Sequence, residues 1–317
     1  MDNRIPIYSL SISGRLTLEM HSLNNEGGEG NQTMTRIVTL VDESGSVHKV
    51  NAISGDMFKH IQAEHYYRRA RESGLPLCAG CQVFDAARIL ADKEFIKGLK
   101  GQSDEETIHA LLNRCALDDT EGSLIAQGAR SIPRKSVAEF SWVVGLPDKV
   151  RTESYFHVRY ARERAGDEET SQPIFHRPAS SGIYASVLTL ELGRIGFNDI
   201  SQEYAIDEED RLRRHQALLE SVLYTYVEPG GAMRGTQNPH ILAFQGAVTV
   251  SQGVLPAPAL SPLAGDYRDQ LGAICQSLNN GSRLTLRPFD NMAEFVAIMR
   301  ELVESTRPYR MFHPQGG

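Results

Sequence analysis

The pattern of apolar and polar positions changes period several times along the chain, which predicts a mixture of strands and helices. Within residues 5–20, Ile12, Leu16, Leu18 and Met20 share one face and polar residues occupy the other, so a strand with a polar outer face is predicted. Two shorter runs, at residues 36–41 and 47–51, flank a Glu-Ser-Gly-Ser turn. They predict a hairpin that leads directly into the next element.

A helix is predicted to begin after Ser54, because a serine can cap a first turn and Asp56 suits the positive end of the helix dipole. Phe58, Ile61 and His65 then recur at helical spacing and predict a buried stripe. Lys59 is unusual, since a cation in the first turn opposes the dipole. An anion held by Lys59 and the free backbone N–H groups explains it, and an exposed lysine is the alternative.

The rest of the chain predicts two strand–helix–strand sets separated by an insertion. Short helical patterns near residues 84–99 and 105–115 follow a Gly-Leu-Pro break, and a strand over 138–144 returns to the sheet. Residues 145–181 contain too few aliphatic side chains for a core of their own. Later elements are predicted at 183–192 (strand), from 207 (helix), 240–250 (strand), 267–278 (helix), 283–287 (strand) and 292–302 (helix). This order fits an α+β fold, an antiparallel sheet with helices on one face.

Charge narrows the choice of partner. The formal net charge of −7 disfavours nucleic-acid binding through overall charge, yet residues 58–71 and 130–164 are locally basic. We find no apolar run of the roughly 20 residues that a membrane span needs, and no signal peptide. The sequence therefore predicts a cytoplasmic protein with no membrane partner.

Familiar catalytic motifs are missing, and polar loops stand out in their place. The sequence contains no P-loop, Rossmann, H-E-x-x-H, G-x-S-x-G or EF-hand motif. Segments rich in Gly, Asn, Ser and Arg instead lie beside the basic stretches, at residues 21–31, 54–59, 134–136 and 234–238. Such residues suit a phosphodiester backbone, although most loops of this composition are merely solvated. Aromatic side chains near these segments either stack on bases or pack in a core. They are Tyr66, Tyr67, Tyr155, Phe156 and Tyr160.

Cys78 and Cys81 have the C-x-x-C spacing of a zinc knuckle, which Cys115 and His109 could complete. The alternative is a pair of reduced cytosolic thiols, because the chain contains no second C-x-x-C pair. No other cofactor is expected.

Five dispersed motifs resemble the DevR-type backbone subunit of type I CRISPR surveillance complexes (Cascade), the RAMP-superfamily subunit that binds CRISPR RNA (crRNA). They are ISGRL at 12–16, HSLNNEG at 21–27, AISGDMFKHIQAE at 52–64, FHRPASSGIYA at 175–185 and the Gly-rich loop at 230–239. The motifs span most of the chain in the family's order.

The resemblance implies an RRM-like (ferredoxin-like) antiparallel-sheet palm with a helical fingers insertion and a thumb hairpin. The palm would comprise residues 1–73, 135–145 and 181–317, the fingers 74–134 and the thumb 146–180. The implied partners are crRNA, the target DNA strand, copies of the chain itself and other Cascade subunits.

The resemblance also implies RNA-binding residues and no catalytic ones. The predicted RNA-binding set is His21, Ser22, Asn24, Asn51, Ser54, Lys59, Arg134, Lys135, Ser136, Arg234, Gln237 and Asn238. Arg234 stands where related loops commonly have lysine. Related RNA-cleaving subunits use an aspartate in the first loop, and this loop has only Glu26 and Glu29, so target cleavage is not expected. The alternative function is a crRNA-processing endoribonuclease with His21 or His60 as general base, and a third is a transcriptional regulator.

Overall fold

The computed structural model describes residues 3–127, 130–158, 174–231, 235–278 and 283–311. Its helices, in chain order, are α1 Gly55–Glu72, α2 Ala79–Gln82, α3 Lys93–Gly98, α4 Asp104–Arg114, α5 Ala116–Glu121, α6 Glu208–Val227, α7 Tyr267–Leu278 and α8 Met292–Ser305. Its strands are β1 Ile5–Ile7, β2 Ser9–His21, β3 Asn25–Glu29, β4 Gln32–Thr35, β5 Ile37–Val41, β6 Val47–Ile53, β7 Ser123–Gln127, β8 Arg130–Arg134, β9 Ala138–Phe140, β10 Val143–Val158, β11 Ile174–Leu190, β12 Phe197–Asn198, β13 Glu203–Tyr204, β14 His240–Ser251, β15 Leu284–Phe289 and β16 Thr306–Pro308.

The main sheet has the order β15-β14-β2-β11-β10-β6-β5. Its four central strands, β14, β2, β11 and β10, are antiparallel neighbours. In sequence, α1 lies between β2 and β10, and α6 lies between β11 and β14. This is the ferredoxin-like arrangement, so the predicted α+β palm is confirmed.

The core lies between this sheet and the pair α1 and α6, with α8 packed against α6 and β14. The predicted stripe on α1 is buried, and the inward side chains of β2 have almost no exposure. Stacked and edge-to-face rings of Tyr226, Phe244, Phe289 and Phe295 fill the centre, an arrangement typical of buried aromatic side chains.

The other face of the sheet differs from the prediction. Ser11 donates a hydrogen bond to Ala257 O (2.9 Å), and Arg15 donates to Pro262 O (2.8 Å). Tyr267 and Leu271 of α7 pack against Ala247 on this face. A chain segment and a helix therefore cover the polar face that was expected to be outermost, and the helices are not confined to one face.

The long hairpin of β10 and β11 contains the predicted thumb. The two strands pair from Val150 and Gly182 out to Val158 and Ile174, and residues 159–173, with Tyr160, lie outside the described residues. A Cβ on Gly182 would lie 2.2 Å from Lys149 O, and its φ of +151° favours glycine, so glycine is required where the hairpin bends. Separately, none of the helices in the described part of the chain is long and apolar enough to span a membrane.

Candidate nucleic-acid interface

Polar side chains from four separate segments meet where α1 begins. Ser54 caps this helix, accepting a hydrogen bond from Met57 N (3.1 Å), and its own N–H donates to Asn24 Oδ1 (2.7 Å). Asn51 accepts a hydrogen bond from the Tyr184 hydroxyl (2.8 Å) and donates to Arg36 O (3.0 Å). The predicted residues Asn24, Asn51 and Ser54 are all buried. They therefore hold the first loop, β6, β11 and α1 in a fixed arrangement.

His21 and Ser22 are buried beside the same cluster. The edge of the His21 ring meets Tyr184 at a centroid distance of 5.0 Å, and Leu23 N–H donates to His21 Nδ1 (3.4 Å). Burial lowers the pKa of His21 to about 4, so the ring is neutral at physiological pH. A neutral, enclosed imidazole suits a structural role in this loop better than proton transfer to an RNA.

Lys59 and the basic-Ser segment meet at one backbone carbonyl. Lys59 Nζ donates to Ala138 O (3.3 Å), and Ser136 Oγ donates to the same oxygen (2.6 Å). Burial lowers the pKa of Lys59, and the nearby Glu121 carboxylate opposes that shift. Both carboxylate oxygens of Glu121 are buried without a hydrogen-bond partner among the described residues. The first-turn cation is thus accounted for in part by a buried carboxylate, which the sequence did not reveal.

Lys135 and Arg134 differ sharply despite being neighbours. The Lys135 side chain is exposed and pairs with Glu139 at 3.1 Å, whereas the Arg134 guanidinium has no exposure. Arg134 donates to Asp119 Oδ1 (2.7 Å) and to Asp199 Oδ2 (3.0 Å), and its remaining donors bind backbone carbonyls. The expected direct contact of Arg134 with phosphate does not fit this geometry, because its donors are already used inside the fold.

The Gly-rich loop packs beside the first loop. A Cβ on Gly231 would lie 2.7 Å from Leu23 O, so this approach requires glycine. Gln237 donates to Pro178 O of β11 (3.1 Å), and Asn238 is exposed. Arg234 lies outside the described residues. The described part of this loop therefore adds an exposed amide to the same end of the sheet.

Arg36 and Trp142 were missed by the sequence reasoning. The Arg36 guanidinium lies over the indole ring at 5.2 Å, and Trp142 is 41% exposed. Val143 pairs with Ile53, so Trp142 stands across from Ser54 at the start of α1. The one feature of the sequence that could have drawn attention to Trp142 is that it is the chain's sole tryptophan.

The other aromatic candidates divide between core and surface. Tyr66 is fully buried, and Tyr67 donates to Gln82 O (2.9 Å) in the insertion. Phe156 and Tyr155 lie exposed on β10, with the Phe156 ring edge against His176. Among the described candidates, Tyr155 and Phe156 are thus the most accessible to a ligand.

The predicted zinc ligands are brought together in part. Sulfur atoms of Cys78, Cys81 and Cys115 lie close together, and the fourth group beside them is the Asp118 carboxylate. His109 lies on the exposed face of α4, outside this cluster. The expectation for His109 is wrong, because the helix turns its side chain towards solvent.

Comparison with known proteins agrees with this fold and identifies the family. A curated relative from Methanocaldococcus jannaschii, described as "CRISPR-associated protein Cas7/Cst2/DevR", is 24% identical over 317 residues, which cover 93% of this chain and 97% of the relative. Two solved chains share the fold at 11% identity, one described as "CRISPR RNA-guided surveillance complex, pre-nicking" (TM-score 0.54) and one as "CRISPR RNA-guided surveillance complex" (0.51). Each match covers 93% of this chain, with 99% and 98% of the solved chains. The profile of the family described as "CRISPR-associated negative auto-regulator DevR/Csa2" matches residues 12–271. The chain therefore belongs to the DevR/Csa2 family of CRISPR-associated proteins.

Proposed function

We propose that this protein is a non-catalytic, crRNA-binding backbone subunit of a type I CRISPR surveillance complex. The observation that carries the proposal is the meeting of the family's dispersed motifs at one end of the sheet. Asn24 joins the first loop to the start of α1, and Lys59 and Ser136 share one carbonyl. The Gly-rich loop approaches the first loop at Gly231 and bonds β11 through Gln237. Amides, hydroxyls and a few cations suit an RNA backbone of any sequence, while base pairing supplies specificity.

The chemistry of the histidines supports a scaffold over a processing nuclease. His21 is enclosed and its pKa is lowered to about 4, and His65 contacts Glu228 O at 2.9 Å. His60 is exposed, with its ring against Phe84 at 5.5 Å, on the side of α1 that faces the insertion. A general base must reach the proton that it removes, which the enclosed His21 and His65 cannot do.

Self-assembly along the guide is the second part of the proposal. The β10–β11 hairpin carries three exposed side chains, those of Phe156, Val158 and Arg151. We assign this hairpin to contacts with the next copy of the protein and with the guide–target duplex. Other surveillance-complex subunits would also bind at that duplex. In this proposal the target DNA strand binds by base pairing with the guide RNA.

Co-expression with a CRISPR repeat–spacer transcript tests the function. The length of the co-purified RNA and the protein-to-RNA ratio would be measured by gel electrophoresis and native mass spectrometry. Several copies on one intact spacer are expected. A single copy releasing a trimmed RNA would contradict the scaffold proposal and favour the processing enzyme.

A matched pair of lysine variants tests the interface. Lys59→Met keeps the side-chain stem but removes the charge, and Lys97→Met makes the same change on the exposed face of α3. We expect the Lys59 variant alone to weaken binding equally for all RNA sequences and to lower the salt dependence. If both variants have the same RNA affinity and the same salt dependence of binding, Lys59 does not contact the RNA.

A further inference from the structure

Three thiols and one carboxylate of the insertion form a compact, buried group, called here the thiol cluster: Cys78, Cys81, Cys115 and Asp118. One ligand atom from each lies within 4.8 Å of all the others, and every member is buried. All three cysteines are free thiols. Cys78 and Asp118 are 40 residues apart in sequence, so the cluster joins the two ends of the insertion.

The distances match those of a tetrahedral metal site. Zinc–sulfur and zinc–oxygen bonds of about 2.3 and 2.1 Å place sulfur and oxygen ligands about 3.6 Å apart around one ion. Asp118 Oδ2 lies 3.3 Å from Cys78 Sγ and 3.4 Å from Cys81 Sγ. These two separations are within a few tenths of an ångström of the tetrahedral value, and all four ligand atoms lie within 4.8 Å of one another.

The backbone around the cluster already donates hydrogen bonds to its sulfur atoms. Cys81 N–H donates to Cys78 Sγ (3.4 Å), and Asp118 N–H donates to Cys115 Sγ (3.5 Å). Both contacts join residues three apart at the start of a short helix, so the two halves of the site have the same local geometry. Such donors stabilise a thiolate and fix its direction towards a metal.

Two buried polar atoms beside the cluster have no hydrogen-bond partner in the described part of the chain. Asp118 has no exposure, and its Oδ1 accepts no hydrogen bond there. Arg88 lies near the Asp118 carboxyl, and its buried Nη1 donates none among the same residues. Buried polar atoms are normally satisfied, so an unpaired carboxylate oxygen beside three sulfur atoms points to a missing ligand.

We propose that the thiol cluster binds a single zinc ion. Three sulfur ligands and one oxygen suit a closed structural zinc site, whereas iron–sulfur clusters commonly take four cysteines. The ion would tie α2 to α5, and Arg88 would offset the excess negative charge of the ligands. None of the four proposed ligands belongs to the predicted RNA-binding set.

The neighbours of Asp118 on α5 give the site a wider structural effect. Asp119 bonds both Arg134 and Arg214, and Glu121 lies near Lys59. Fixing α5 through Asp118 thus also fixes the acidic residues that position the two predicted RNA-binding cations. A zinc ion here would connect the stability of the insertion to the shape of the interface.

Metal analysis of the full chain, purified without a metal-affinity tag, tests the proposal. About one zinc per chain is expected for the wild type and for Cys275→Ser and His109→Ala, and far less for Cys115→Ser and Asp118→Asn. Cys275→Ser is the matched control because it removes a buried cysteine on α7, away from the cluster. Full zinc content in the cluster variants would overturn the proposal, as would its absence from wild type refolded with zinc chloride.

A second measurement does not depend on whether the variants fold. Titrating the wild type with a thiol-capping mercurial should release zinc to a chromogenic chelator in step with the blocking of the cluster thiols. Cobalt substitution should give the near-ultraviolet sulfur-to-cobalt charge-transfer bands and the visible ligand-field bands of a tetrahedral thiolate site. Release of iron, or a Cys78–Cys81 disulfide in the freshly purified protein, would contradict the assignment.

Discussion

The backbone N–H of Ser54 donates a hydrogen bond to the side-chain oxygen of Asn24 at 2.7 Å, which fastens the first loop to the start of α1. Asn24→Ala removes the acceptor and leaves a buried N–H without a partner. The free energy of unfolding should fall by about 1–3 kcal/mol, measured by urea denaturation. Asn24→Asp keeps the acceptor and is the matched control. A loss of similar size in both variants would mean that this hydrogen bond is not the cause.

The buried Arg134 and the exposed Lys135 should respond in opposite ways to substitution. Arg134→Met removes one of the two arginines that pair with the buried Asp119 and leaves the Phe197 and Arg194 carbonyls without their donor, so we expect a loss of about 3–5 kcal/mol in unfolding free energy. Lys135→Met should change stability by less than about 1 kcal/mol, because its ion pair is exposed. RNA affinity should fall with Lys135→Met in a folded protein. If the Arg134→Met variant folds stably and yet does not bind RNA, the original prediction of a direct phosphate contact would be supported.

Trp142 offers an internal probe of the interface, since it is the chain's sole tryptophan and is 41% exposed. Binding of RNA near the start of α1 should shift or quench its emission. Trp142→Ala should weaken binding by about 1–3 kcal/mol if a base stacks on the indole. Trp142→Phe retains a ring and should recover part of this loss. Unchanged emission at saturating RNA would exclude Trp142 from the interface.

The buried His21 should make stability depend on pH. Its pKa is lowered to about 4 in the folded chain from an ordinary 6.5, so between these values the unfolded state binds the additional proton. Stability is therefore lost as the pH falls through this window and is kept above it. Relative to His21→Gln, the wild type should lose about 2 kcal/mol more between about pH 7 and pH 5. Parallel pH profiles for the two proteins would show that His21 does not titrate in this range.

Local signals in the sequence were reliable where neighbouring residues determine structure. Ser54 caps α1 as predicted, and the stripe of Phe58, Ile61 and His65 is buried. Strand limits were less predictable. The strand expected over 183–192 begins at Ile174, because pairing with β10 extends it, and the one expected over 138–144 is divided between β9 and β10. Pairing with a distant strand leaves no local pattern in either segment.

The candidate site also divides into features that local sequence predicts and features that depend on distant contacts. Sequence motifs identified the segments that meet around the start of α1, but they could not separate Arg134 from Lys135, which are adjacent and carry the same charge. The C-x-x-C spacing indicated a metal site, and it suggested His109 where the structure has Asp118. Arg36 and Trp142 carried no motif at all.

By itself the sequence determined the α+β class, the cap and buried face of α1, and the family, because these depend on short-range order and on motifs. Only the tertiary structure decided which polar residues face solvent, which cation pairs with Asp119, and that Asp118 completes the thiol cluster. These outcomes depend on contacts between residues far apart in the chain. Burial and pairing set the energy of a charged group, and neither is encoded in the group's own neighbours.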